Sequence, residues 1–277
     1  MFIDDLLKLK KYSFSYLEFH LKHSFYIFHQ IFVIMKDNFS HQSANYANYR
    51  PQYPKVIFDE IKRHLKYHRN AWDCATGNGQ VARELSTFFD RVEATDISEN
   101  QLKEAPKLSN ISYSIQQAEK VSFPDNSFDL ITVAQAIHWF NFDQFYAEVK
   151  RTLKDDGIFV VLGYGLFRSN AETNKVIDHF YNDIIGSYWD EERKYLDKEY
   201  SNIPFPFQEI KTPKVNFKEE WEFERLIGYL KTWSAVKHFS DKNGFNPVDD
   251  IYRQLKESFG DKNIIEFPII FKIGKLS

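Results

Sequence analysis

The residues of this chain whose types and spacing point to chemistry lie in Ala71-Trp72-Asp73-Cys74-Ala75-Thr76-Gly77-Asn78-Gly79-Gln80. The run reads as the end of a buried strand, a glycine turn and the start of a helix. Gly77 and Gly79 lack a Cβ, so the backbone can turn tightly there and a ligand can approach it closely. A helix over residues 80–89 would aim its unpaired N–H groups and positive dipole end at that ligand. Asp73, just before the turn, can accept a hydrogen bond from the turn itself or from a bound amine. Asp96 follows Arg91-Val92-Glu93-Ala94-Thr95, the position at which an acid ending a second strand holds ribose hydroxyls. A glycine turn standing alone also reads as an ordinary loop, so the elements around it have to decide.

Those elements alternate. A helix over residues 55–67 carries Val56, Phe58, Ile61 and Leu65, and a strand follows over 70–75. After the turn and its helix comes a second strand over 91–95. Ser98 with Gln101 three residues on is a capping-box pattern that opens a short helix, and Pro106 closes it. A third strand covers 111–116. Phe128-Asp129-Leu130-Ile131-Thr132-Val133-Ala134 is nearly all apolar, as a strand buried on both faces should be. A helix over 142–153 and an apolar strand over 158–162 follow. Strand and helix alternating at this spacing predict an α/β fold with a parallel sheet and right-handed crossovers. Beyond Phe167 the text turns helical and aromatic over 171–189 and 224–238, with a further helix over 247–259. Strand patterns occupy 215–223 and 266–273.

Composition narrows the class. The 277 residues are 43% hydrophobic, 27% charged and 17% aromatic, and the 27 Phe and 16 Tyr predict a Phe-rich core. A net charge of -3 without a long basic run argues against a nucleic-acid binder. Cys74 is the single cysteine, so an internal disulfide and a cysteine-cluster metal site are excluded; Cys74 itself reads as buried filler. Metal-ligand spacing is not evident, and His20, His23, His29 and His41 read as incidental. The most apolar stretch, residues 25–35, is short and broken by His29 and Gln30, which argues against a membrane span. Asp4, Asp5 and Glu18 argue against a transit peptide. A cytoplasmic protein fits these features. Residues 1–34 differ from the rest and read as an extension of uncertain status, either an appendage, an upstream extension of the reading frame or a packed helix; the domain-like text, 35–277, begins at Met35.

With these elements in order the sequence resembles the class I S-adenosylmethionine-dependent methyltransferases, and among them the small-molecule group that includes trans-aconitate methyltransferases. Asp73-Cys74-Ala75-Thr76-Gly77-Asn78-Gly79 resembles the D-x-G-x-G-x-G motif, with Ala75 in place of the first glycine, a small-for-small change expected to cost little room. Asp96 matches the ribose-binding acid, and Gln117-Ala118-Glu119 the segment that meets adenine. Phe123-Pro124-Asp125-Asn126-Ser127-Phe128-Asp129 resembles the turn into strand four. Leu153-Lys154-Asp155-Asp156-Gly157 resembles the turn before strand five, with Asp155 replacing a proline remote from the ligand. Tyr49-Arg50-Pro51-Gln52-Tyr53-Pro54 and Tyr229-Leu230-Lys231-Thr232-Trp233-Ser234 resemble further segments of the subgroup. The likeness spans residues 36–276.

The resemblance implies a Rossmann-like seven-stranded sheet of order 3-2-1-4-5-7-6 with an antiparallel last strand and a helical insertion after strand five. It implies S-adenosylmethionine as cofactor, bound at the carboxyl ends of the strands by Arg50, Asp73, Ala75, Gly77, Gly79, Asp96, Ala118, Glu119 and Gln135. Arg50 would pair with the cofactor carboxylate, or form a surface ion pair. Glu119 would accept from the adenine amino group, or cap a turn. His138, after strand four, is the candidate catalytic residue, as a hydrogen-bond partner of the acceptor or a general base; a structural histidine is the alternative. Trp139, Tyr164 and Trp233 would wall the acceptor pocket, or belong to the core. The implied function is methyl transfer to a small molecule, a carboxylic acid among the candidates. Quinone or lipid C-methylation and a catalytically inactive partner subunit are the competing readings.

Overall fold

The computed structural model describes residues 49–276, so the expectations for residues 1–34 lie outside the described residues. Its sheet is built from β1 (Asn70–Cys74), β2 (Arg91–Asp96), β3 (Ile111–Ile115), β4 (Phe128–Ala134), β5 (Leu153–Tyr164), β6 (Gln208–Ile210), β7 (Val215–Glu222) and β8 (Lys262–Lys275). The order is β3-β2-β1-β4-β5-β8-β6, with β7 also paired to β8. The first five strands run parallel, and β8 is antiparallel to β5. Ile269 of β8 pairs with Tyr164 of β5 and with Val215 of β7; Ile273 pairs with Val160 of β5 and with Ile210 of β6. Both β6 and β7 therefore lie on the edge of β8 away from β5. They are two pieces of one edge strand, and the sheet has seven positions in the expected order. Pro213, which has no N–H to give a ladder, stands in the break.

The helices in chain order are α1 (Lys55–His64), α2 (Gln80–Leu85), α3 (Glu99–Lys103), α4 (Phe142–Thr152), α5 (Ala171–His179), α6 (Arg193–Asp197), α7 (Phe223–Lys231), α8 (Ser234–Asn243) and α9 (Val248–Phe259). Burial on both faces of β4 and β5 explains their apolar runs. Leu130, Ile158, Val160 and Leu162 pack with Ile57, Ile61, Val81 and Leu85 of α1 and α2. Ile131, Val133, Phe159 and Val161 face the other way, against Phe145, Tyr146 and Val149 of α4. Cys74 is buried and free, and burial pushes its thiol well above the usual range. A further core joins the late helices to β7 and β8 through Phe167, Phe180, Trp221, Leu226, Trp233, Leu255 and Phe267.

Several expected boundaries move for physical reasons. β5 begins at Leu153, and the turn-like Lys154-Asp155-Asp156-Gly157 lies inside it as a register shift, with Phe128 opposite Leu153 but Leu130 opposite Ile158. Asp129 secures this end of the sheet. Its carboxylate accepts from the Arg69 and Asn70 amides at 3.0 and 2.9 Å and from Lys154 Nζ at 2.7 Å. The helix expected over 171–189 is α-helical only to His179 and continues as a π turn, Phe180–Ile184. The helix expected over 224–238 breaks at Thr232-Trp233 into α7 and α8. No helix among the described residues is long and apolar enough to cross a membrane.

Candidate cofactor and acceptor site

The glycine turn lies between β1 and α2. Ala75, Gly77 and Gly79 all have positive φ, at 52°, 57° and 78°. A Cβ on Gly79 would lie 2.7 Å from the Tyr113 hydroxyl, so only glycine fits beneath that ring. A Cβ on Gly77 would meet only Gln101 Oε1, at 3.9 Å, so this face of the turn is open. At Ala75 the expectation concerns room alone, and the backbone adds a cost: it holds an L-residue in the left-handed region, at about 1 kcal/mol.

Asp73 is the peg under this turn. It is 1% exposed; Oδ2 accepts from Thr76 Oγ1 at 2.5 Å and Ala82 N at 3.0 Å, and Oδ1 accepts from Thr132 Oγ1 at 2.7 Å. Burial pushes its pKa up to about 6 against the pull of these donors. Of its two expected partners, Asp73 thus takes the turn, and it shapes the site from below. The sequence reading includes Thr76 only as part of the glycine turn and assigns no role to Thr132, because the hydroxyl bonds of both to Asp73 carry no sequence signal.

Asp96 ends β2 beside the turn. Its Oδ2 accepts from Gly77 N and its Oδ1 from Ser98 N, each at 2.8 Å. Ser98 caps α3, accepting from Gln101 N at 3.3 Å, as the capping-box pattern predicts. Ala118 is buried. Glu119 is seen in the second of its expected roles: Oε1 accepts from the amide of Asn141, the residue that caps α4.

At the carboxyl end of β4, Gln135 is held at φ 53°. Its Nε2 donates to the Tyr164 carbonyl at 3.2 Å, while Oε1 is buried with no hydrogen-bond partner among the described residues. The short 3-10 turn Ile137–Trp139 follows. His138, 7% exposed, shares a 2.8 Å hydrogen bond between Nδ1 and Tyr200 Oη. Burial, and then the Arg193 charge, push its pKa down to about 3. A histidine so placed is neutral and a poor base at physiological pH, which favours the hydrogen-bonding half of its expected role over the general-base half. Tyr200 itself, 1% exposed and with its ring on Gly163, went unrecognised; its sequence surroundings offer only charge and turn residues.

The other expected site residues form a strap across the late helices. Arg50 donates from Nη1 to Tyr164 Oη at 3.1 Å and from Nη2 to the Thr232 carbonyl at 3.0 Å. Its guanidinium also lies 5.5 Å from the Tyr229 ring centroid. The Tyr49 ring is pressed on Gly228, where a Cβ would approach it to 2.4 Å. The two segments of the subgroup-like pattern thus touch each other. Trp139 is half-buried with its ring 5.0 Å from His138. Tyr164 is buried between Tyr53 and Phe267. Trp233, 3% exposed, is surrounded by Phe167, Phe180, Tyr181, Trp189 and Tyr229, and so is first of all a core residue. No group of three His, Cys, Asp or Glu that could hold a metal occurs among the described residues.

A seven-position sheet of this order, with a left-handed glycine turn after β1 and an acid ending β2, defines a Rossmann-like nucleotide-cofactor site. The sequence pattern of the methyltransferase domain matches residues 72–161. A protein of Dictyostelium discoideum named as a methyltransferase is 33% identical over 249 residues, 86% of this chain and 95% of that one. An S-adenosylmethionine-dependent methyltransferase, by name, of Saccharomyces cerevisiae is 29% identical over 258 residues, 79% of this chain and 89% of that one. Among solved structures, one named as a type II methyltransferase from Anaeromyxobacter dehalogenans superposes with a TM-score of 0.75 at 33% identity, over 82% of this chain and 97% of that one. The chain belongs to the class I S-adenosylmethionine-dependent methyltransferases.

Proposed function

We infer that this methyltransferase acts on a small molecule and holds S-adenosylmethionine through the glycine turn, Asp96 and Gln135. Two features fit the cofactor. The open face of Gly77 leaves room for a ligand against the backbone, and the Gln135 Oε1 is a buried acceptor awaiting a donor. A buried acceptor left without one is costly, and a bound group that donates to it removes the cost. Asp96, fixed by two amides, keeps its carboxylate aimed at the edge of the turn for ribose hydroxyls. Ala118, small and buried after β3, is the residue taken to admit the adenine ring. When bound, S-adenosylmethionine supplies an electrophilic methyl group; the chain supplies alignment and a water-poor setting.

The observation that carries the small-molecule reading is the roof over β4 and β5. Tyr200 lies on Gly163 and bonds His138, and Arg50 ties Tyr164 to the break between α7 and α8. A roof of this kind favours a small acceptor over a polymer. Neutral His138 would position that acceptor by a hydrogen bond, which suits an acceptor atom that is already ionised. A donor assay on a panel of carboxylic acids, phenols and amines tests the reading. Transfer to a small member of the panel supports it; transfer to RNA or protein, with none to the panel, overturns it.

A further inference from the structure

Arg193 opens α6, which packs against the turn that carries His138. Its side chain is 19% exposed. The guanidinium carbon lies 4.5 Å from the Trp189 ring centroid and 5.3 Å from that of Tyr181. Nε donates to Tyr181 Oη at 2.8 Å and to Asp197 Oδ1 at 3.0 Å. Asp197 is 43% exposed and also accepts from Tyr181 Oη at 2.6 Å. All the observed hydrogen bonding thus falls on one nitrogen. The two terminal nitrogens donate to no described residue and are not among the sealed atoms that lack a partner. The positive charge lowers the pKa values of His138, in the turn after β4, and of Tyr200 and Tyr229.

A deeply set guanidinium normally spends its fork on a carboxylate in a bidentate pair. Here the fork is left open, its plane fixed by two aromatic faces, next to the turn at the carboxyl end of β4. We propose that Arg193 binds the methyl acceptor, its two terminal nitrogens taking an oxyanion of that molecule, a carboxylate or a phosphate, while Trp189 and Tyr181 hold the guanidinium in place. The assignment rests on the small-molecule methyltransferase reading and adds the charge of the acceptor to it.

The test uses the full chain saturated with S-adenosylhomocysteine and reads tryptophan fluorescence, since Trp189 lies against the guanidinium. Succinate, citrate, benzoate and glycerol phosphate are titrated, with succinamide and benzamide as neutral controls. At least one anion should bind saturably and its amide should not. Arg193→Gln should weaken that anion about tenfold or more and leave S-adenosylhomocysteine affinity unchanged, with Arg193→Lys between the two. A response to carboxylates alone or to the phosphate alone supports the proposal and identifies the oxyanion. Equal anion affinity in Arg193→Gln, or in Arg193→Lys and Arg193→Ala should the glutamine variant not fold, overturns it. So does a panel in which no anion binds, or in which amides bind as well as acids. Failure of the wild-type chain to bind S-adenosylhomocysteine strikes the cofactor reading; normal cofactor binding with anions indifferent to Arg193 strikes this inference alone.

Discussion

His138 Nδ1 and Tyr200 Oη stand 2.8 Å apart, both side chains nearly sealed from solvent. Burial pushes the phenol up and the imidazole down, so both groups are neutral across physiological pH. Linkage follows from this. The folded chain holds His138 with a pKa of about 3 against 6.5 for an unperturbed histidine, so between those values the unfolded state binds more protons. Stability therefore falls as pH drops below about 6.5, by a few kcal/mol in all. Asp73, pushed up to about 6, acts in the opposite sense: its contribution is favourable at acid pH and is lost as pH rises through about 6. Urea unfolding from pH 4 to pH 8 should show His138→Gln with a flatter acid limb than wild type. An unchanged limb would mean that the histidine titrates normally.

The same pair sets an expectation for turnover. On the acceptor-side role proposed for His138, His138→Ala should lower kcat several-fold and leave cofactor affinity nearly intact. Wild-type pH–rate profiles should lack a histidine limb near pH 6.5. A hundredfold loss in kcat together with such a limb would restore a general base.

Ala75 carries a φ of 52° in a position that glycine fills at least cost. Ala75→Gly should raise the unfolding free energy by up to about 1 kcal/mol, the relieved left-handed strain exceeding the added chain entropy. Denaturant midpoints measure it. A drop in stability would show that the Ala75 methyl is packed to advantage.

Glu119 braces the start of α4 through the Asn141 amide. Glu119→Ala should cost about 0.5–1.5 kcal/mol of stability. Cofactor affinity should change by less than about threefold, or 0.65 kcal/mol. A larger loss of affinity, measured by calorimetry, would show that the carboxylate also meets the adenine.

What was legible in the sequence, and what was not, divides along the range of the forces involved. The apolar run Phe128–Ala134, the Ser98–Gln101 cap and the glycine turn are local, and each appears as read. The break at Thr232-Trp233 is not local. No glycine or proline marks it; Arg50, 182 positions away, takes the Thr232 carbonyl, and Trp233 turns into a shell of rings. The same is true of the site. Asp73, Gly77 and Asp96 are near one another in sequence and were identified together, whereas Tyr200 reaches His138 across 62 positions. Arg193 sits in a charged stretch indistinguishable in sequence from solvated surface. The sequence reading gives only the 215–223 piece of the edge strand; the short piece Gln208–Ile210 lies beyond Pro213 and becomes a strand through its pairing with β8.

Calorimetric titration of S-adenosylmethionine into wild type and Asp96→Ala tests the central claim most directly. The Gly77 and Ser98 amides hold Asp96 at the edge of the glycine turn, and the charge-assisted hydrogen bonds proposed from it to ribose hydroxyls contribute about 1.5–3 kcal/mol each. Wild type should bind at a one-to-one ratio, and Asp96→Ala should bind at least about tenfold more weakly while remaining folded. Unchanged affinity in the variant, or no binding by wild type, would contradict the account.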